Sequence, residues 1–155
     1  MDLFVVDDDP GVLALAARVL AGPGVRVHSF ADAATALVAL ERIGSVSAIV
    51  SDVAMPGRMD GRTLAATVAA RRPDVPVVLM SADDGALAAA RGRPGVSGLV
   101  TKPFTATGLR VAVRSAIEKH GMALPDGEES DGAAVSEAIV PGAVALREAC
   151  STGRP

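Results

Sequence analysis

The first ~120 residues predict an α/β fold in which one parallel sheet carries helices on both faces. Three observations carry this. Short apolar runs alternate five times with stretches of helical periodicity. Turn or capping residues punctuate the switches between them. The apolar runs are also of two kinds, continuous or broken by polar residues, which separates covered strands from edge strands.

Leu3 to Val6 is the first strand candidate. Asp9-Pro10 then reads as an N-cap followed by proline at the first helical position. Val12, Leu15, Ala16, Val19 and Leu20 follow at i, i+3, i+4, i+7 and i+8, one apolar stripe, and Gly22-Pro23-Gly24 ends the helix. Val25 to Phe30 is the second strand, with Val25 and Val27 on one side and Arg26 and His28 on the other. Asp32 caps a second helix carrying Ala33, Ala36, Leu37 and Leu40. Ala48, Ile49 and Val50 make a third strand that ends at Ser51-Asp52. After a Pro/Gly loop, Asp60-Gly61 opens a third helix with Leu64 and Val68 inside. Val75 to Met80 is the fourth strand, closed by Ser81. An Ala-rich helix follows from Asp83 to Arg91, kept short by the breakers in Arg91-Gly92-Arg93-Pro94-Gly95. Val96 to Thr101 is the fifth strand, ended by Lys102-Pro103. The last helix sets Leu109, Ala112, Val113, Ala116 and Ile117 on one face.

Strands one, three and four are nearly continuous apolar runs. The second alternates, and the fifth is broken by Ser97 and Gly98. Edges at strands two and five match the order 2-1-3-4-5 of a flavodoxin-like doubly wound (βα)5 sheet. From Gly121 the signal fades. Pro125 to Gly132 reads as an acidic linker, and Ala133 to Cys150 as one or two short helices interrupted at Pro141-Gly142. Roughly 35 residues are too few for an independent core. The expected organisation is a domain over 1–120 and a flexible or loosely docked tail over 121–155.

Half of the residues are hydrophobic, which excludes global disorder. A formal charge of -3 gives no electrostatic case for nucleic acid or a membrane surface. Cys150 is the only cysteine, so no internal disulfide forms. The apolar N-terminal run is too short and acidic for a signal peptide, and no stretch approaches the ~18 apolar residues of a membrane span. The expected location is the cytoplasm.

In an open α/β sheet, ligands bind beyond the carboxyl ends of the strands near the topological switch point. For this order that point lies between strands one and three. Strand one ends in Asp7-Asp8-Asp9 and strand three in Asp52. Two carboxylates ~4 Å apart repel by ~4 kcal/mol at an effective dielectric of ~20. A hard divalent cation removes that repulsion, and Mg²⁺ favours one or two carboxylates with waters and phosphate oxygens. Asp52 is then placed as an in-line nucleophile towards a phosphoryl group, forming an aspartyl phosphate. Ser81 at the end of strand four offers a hydroxyl to a phosphoryl oxygen, and Lys102 at the end of strand five offers a cation.

Val5-Val6-Asp7-Asp8, Asp52-Val53-Ala54-Met55-Pro56, Ser81-Ala82 and Lys102-Pro103-Phe104 together resemble the receiver domain of two-component response regulators. The resemblance covers residues 2 to about 119, with the four motifs in order. It implies that Asp52 is the phosphoacceptor. Asp8 ligates Mg²⁺ directly, Asp7 acts mainly through bound water, and Asp52 and the backbone carbonyl of Ala54 complete the protein ligands. Ser81 and Lys102 hold the phosphoryl oxygens, and the Lys102-Pro103 bond is cis. It implies, too, a sensor histidine kinase or histidine phosphotransfer protein upstream and a protein target downstream. By the same resemblance Ala54 and Asp83 tune the lifetime of the phosphoryl group.

Three positions depart from the commonest pattern. The loop from Met55 to Gly61 is one residue longer, a variant resembling receivers of hybrid sensor kinases. Leu99 stands where an aromatic switch residue is common. The short fourth helix alters the usual output face. Other readings stay beside this one. A haloacid-dehalogenase-type phosphatase also uses an Asp, a Ser/Thr and a Lys at strand ends, but needs an acid where this chain has Ala54. A phosphorylation-independent binding module is the third reading. Nucleotide-binding glycine motifs are absent, and the tail shows no helix-turn-helix. Alone, Asp7-Asp8-Asp9 reads as a solvated run; beside Asp52, Ser81 and Lys102 it does not. Asp9 and Asp60 read as helix caps only, and Ser81 either caps the next helix or reaches the phosphoryl group. His28 is expected to face solvent, and His120 to complement a helix dipole. Neither has a zinc-ligand partner at useful spacing. Arg71-Arg72 reads as a structural helix end, and Cys150 as incidental.

Overall fold

The structure, a computed structural model, describes residues 1–121. Its elements run β1 (Asp2–Val6), α1 (Pro10–Leu20), β2 (Arg26–Phe30), α2 (Ala33–Arg42), β3 (Ala48–Asp52), α3 (Gly61–Arg71), β4 (Val77–Ser81), α4 (Asp84–Ala90), β5 (Val96–Thr101) and α5 (Ala106–Lys119). The five strands form one parallel sheet in the order β2-β1-β3-β4-β5. The tail expected beyond Gly121, with Cys150, lies outside the described residues.

Strand alternation sorts the core into two layers. Leu3, Val5, Val50, Val78 and Met80 pack with α1 and α5 on one face. Phe4, Val6, Ile49, Val77 and Leu79 pack with α2, α3 and α4 on the other. Every residue of β3 and β4 is buried, as central strands covered on both faces require. Edge strand β5 is mostly half-buried. Its pairing shifts between Val77↔Val96 and Val78↔Gly98, so Ser97 is the extra residue of a bulge. The polar Ser97-Gly98 step that marks an edge in the sequence is this irregularity.

Four helices open on aspartate caps. Asp9, Asp32, Asp60 and Asp83 each accept backbone amides of the first turn, and Thr105 does so for α5. Asp9 and Asp60 are thus the caps expected. Helix α4 spans 7 residues, as its breakers predict. Arg71 pairs with Glu41 at 2.8 Å, and Arg72 with Asp74 at 2.9 Å, both structural. No helix of the described residues is long and apolar enough to cross a membrane.

Two expectations are corrected. Leu15 is not part of the buried stripe of α1: it is 42% exposed, and Leu13, Ala16, Ala17, Val19 and Leu20 face inward. Val12 to Ala17 is apolar throughout, so periodicity alone does not fix the helix rotation. His28 does not face solvent freely. Its Nε2 lies 2.8 Å from Asp2 Oδ1, and its ring meets Phe4 edge-on at 5.4 Å. An edge strand still has a neighbour on one side, and β1 supplies a carboxylate there.

Candidate functional site at the carboxyl rim of the sheet

Asp7 follows the last residue of β1, and its amide donates to Phe30 O of β2 at 3.1 Å. Its side chain is fully buried. One carboxylate oxygen accepts the Asp9 amide at 2.9 Å, and the other accepts Lys102 Nζ at 2.7 Å. Asp8, the next residue, is exposed. Among the described residues its carboxylate has no protein partner. Asp52 is the last residue of β3, buried, with one oxygen 3.3 Å from Lys102 Nζ. Carboxylate oxygens of Asp7, Asp8 and Asp52 all lie within 4.8 Å of one another.

Lys102 is held from both ends. Its amide donates to Ser81 O at 2.8 Å, and its ammonium reaches the two buried carboxylates. The Lys102-Pro103 peptide is cis. Burial disfavours the charge on Lys102, but the hydrogen bond and charge of Asp7, with Asp52 added, outweigh it and hold the ammonium above its ordinary value. Asp52 shifts the other way from a stabilised carboxylate. Burial and the negative charge of Asp7 raise its pKa above 3.8, against the opposing pull of Lys102 and the Ala54 amide. Three acids around one ammonium leave a deficit of positive charge.

Ser81 ends β4 and is buried. Its hydroxyl oxygen accepts the Asp83 amide at 3.0 Å, while Asp83 itself caps α4. The hydroxyl proton has no acceptor among the described residues and is available to donate. Ala54 sits exposed on the loop leaving β3. Leu99, in β5 opposite Leu79, is half-buried against the α2–α4 layer, in the cluster that includes Met59 and Ala86. The sequence thus anticipated a common rim for Asp7, Asp8, Asp52, Ser81 and Lys102, and the structure brings them there; Leu99 lies one layer behind. It did not anticipate that Lys102 grips Asp7 more closely than Asp52.

The donor set suits a hard cation: carboxylate oxygens only, one of them on an exposed residue open to water. A carboxylate amid such a cluster, faced by a lysine and a serine at the switch point of a doubly wound sheet, defines a phosphoacceptor class of α/β module. The chain belongs to the response regulator receiver domain family, whose pattern it matches over residues 3–114. It is 32% identical over 123 residues to the C4-dicarboxylate transport transcriptional regulatory protein DctD of Rhizobium meliloti, covering 79% of this chain and 26% of that one. It is 34% identical over 122 residues to the sensor kinase CckA of Brucella abortus, covering 76% of this chain and 12% of that one. The receiver domain of NtrX from Brucella abortus superposes with a TM-score of 0.69 at 29% identity, over 76% of this chain and 98% of that one. The chain therefore spans about a quarter of DctD and less of CckA. Members of this family generally use Mg²⁺, and the acidic cluster here is of the kind that binds it.

Proposed function

We propose that the chain is a phosphoacceptor switch in which Asp52 takes a phosphoryl group from a phosphohistidine of a sensor histidine kinase or histidine phosphotransfer protein. The observation that carries this is the position of Asp52: buried at the switch point, 3.3 Å from Lys102 and clustered with Asp7 and Asp8. Asp8, Asp52 and the Ala54 carbonyl would hold Mg²⁺, with Asp7 reaching it through water. When bound, the cation neutralises the carboxylates and the incoming phosphoryl oxygens.

An oxygen of Asp52 forms the new bond to phosphorus as the phosphorus–nitrogen bond of the donor breaks. The electron pair of that bond stays on the imidazole nitrogen, and the donor, whose other ring nitrogen carries a proton, leaves as neutral histidine. Lys102 keeps its hydrogen bond to Asp7, which holds the ammonium beside the developing charge. Ser81 donates its hydroxyl proton to a second phosphoryl oxygen. Leu99, behind Ser81, repacks in the phosphorylated form and carries the change to a protein target. Position 54 carries no acid to protonate a leaving group, so the domain catalyses only its own phosphorylation and dephosphorylation. This reading sets the domain over residues 1–120, in the cytoplasm, with residues 121–155 as a tail.

Intact-mass measurement after incubation with Mg²⁺ and acetyl phosphate tests the reading. The expected result is one labile phosphate adduct, lost when a chelator replaces Mg²⁺. Steady release of phosphate from a generic ester with no adduct would instead fit a phosphatase. An inert protein under these conditions, and also with a phosphorylated histidine donor, would fit a binding module.

A further inference from the structure

The Asp52 side chain has partners on the rim, but its main chain is gripped from behind by two residues with no part in that chemistry. Ser51 is fully buried, and its hydroxyl donates to the Asp52 carbonyl oxygen at 2.9 Å. Gly61, the first residue of α3, approaches the same carbonyl from the loop side. A Cβ at position 61 would overlap the Asp52 carbonyl oxygen and lie 2.9 Å from its carbon and 3.0 Å from Val53 Cα. The Gly61 amide donates to Val53 O at 2.9 Å, and the Val53 amide to Met80 O at 2.9 Å. The peptide that carries Asp52 is thus tied to β4 on one side and to the start of α3 on the other.

We infer that Ser51 and Gly61 are positioning residues that clamp the Asp52 main-chain carbonyl and so aim its carboxylate at Lys102 and the acidic cluster. A nucleophile on a strand end has χ1 and χ2 to relax, and its aim depends on where its backbone is held. Position 61 needs glycine because of this approach. Its φ is not in the left-handed region, so the requirement is for absent volume and not for unusual backbone. Gly95 provides a contrast of place: a Cβ there would overlap the Ala65 carbonyl oxygen just as closely, and its φ of +81° adds a backbone strain that position 61 lacks, yet it touches α3 away from the rim. The inference rests on Asp52 being the phosphoacceptor, and its test separates the two.

Ser51→Ala, Gly61→Ala and Gly95→Ala are compared with the native chain at a temperature where each is folded, by circular dichroism. Two quantities are read per folded molecule: the Mg²⁺ dissociation constant by calorimetry, and the rate of adduct formation from acetyl phosphate. Gly61→Ala is expected to slow the adduct at least tenfold and to weaken Mg²⁺ several-fold. Ser51→Ala is expected to lose two- to fivefold in both, and Gly95→Ala to lower the melting temperature while keeping both native values. A Ser51→Ala protein with native Mg²⁺ affinity and native rate overturns the inference, whether or not Gly61→Ala folds. Equal losses in Gly95→Ala and Gly61→Ala overturn it as well. Failure of the native chain itself to form an adduct would count against the phosphoacceptor reading, and the Mg²⁺ constants would still decide the clamp.

Discussion

Aspartates at the helix starts and aspartates at the strand ends of this chain meet opposite environments. At the helix starts, Asp32 and Asp60 accept backbone amides and lie near water. Hydrogen bonds from Thr35 lower the pKa of Asp32; burial works against the charge of Asp60, but bonds from Thr63 and Arg62 outweigh it, so it too falls below 3.8. At the strand ends, Asp52 is buried beside Asp7 and its pKa rises. The caps stabilise the fold in their charged form. The rim holds a negative charge that the fold alone does not satisfy, and that excess is what a cation can neutralise.

Asp52→Ala separates the regions most sharply: it should abolish the phosphate adduct while the protein stays folded, as an intact-mass measurement would show. Lys102→Ala comes next. It leaves the fully buried Asp7 carboxylate without its cation, which should cost about 3 kcal/mol in metal-free buffer by urea titration. It should also slow the adduct by about 100-fold, the scale of a lost charge stabiliser.

The pH dependence of stability should run in opposite senses. A raised carboxylate favours the fold while protonated, so the contribution of Asp52 is present below pH 3.8 and is lost as pH rises through its elevated value. Without metal, Asp52→Asn should therefore melt higher than the native chain at pH 7, with the advantage vanishing below pH 3.8. A lowered carboxylate does the reverse: the contribution of Asp60 is present above 3.8 and is lost as pH falls through its depressed value. Asp60→Ala should cost about 1 kcal/mol at pH 7 and little in strong acid. A native-like melting curve for Asp52→Asn across this range would erase the contrast. Smallest is Ala54→Asn, expected to change the dephosphorylation rate a few-fold without moving stability; an identical decay of the adduct would remove Ala54 from the account.

Much of this was legible in the chain. Strands β1, β3 and β4 announce themselves as apolar runs, and the residues at their ends meet on one rim because ligand sites of open sheets gather at strand carboxyl termini. The caps at Asp9, Asp32 and Asp60 follow from residue type and position alone. What escaped was decided through space. The rotation of α1 is ambiguous in an apolar stretch, which hid the exposure of Leu15. The pairing of His28 with Asp2 depends on strand register. The preference of Lys102 for Asp7 over Asp52, and the approach of Gly61 to the Asp52 carbonyl, turn on distances of a few tenths of an ångström to a few ångströms. An unusually small residue directly after a capping aspartate was the one available signal for the latter.

Locating the phosphoryl group tests Asp52 as its acceptor. The protein phosphorylated with acetyl phosphate and Mg²⁺ is treated with borohydride, which reduces an aspartyl phosphate to homoserine, and is then digested and sequenced by mass spectrometry. Homoserine is expected at position 52 and aspartate at positions 7 and 8. Homoserine elsewhere, or a phosphate that survives borohydride, would contradict it.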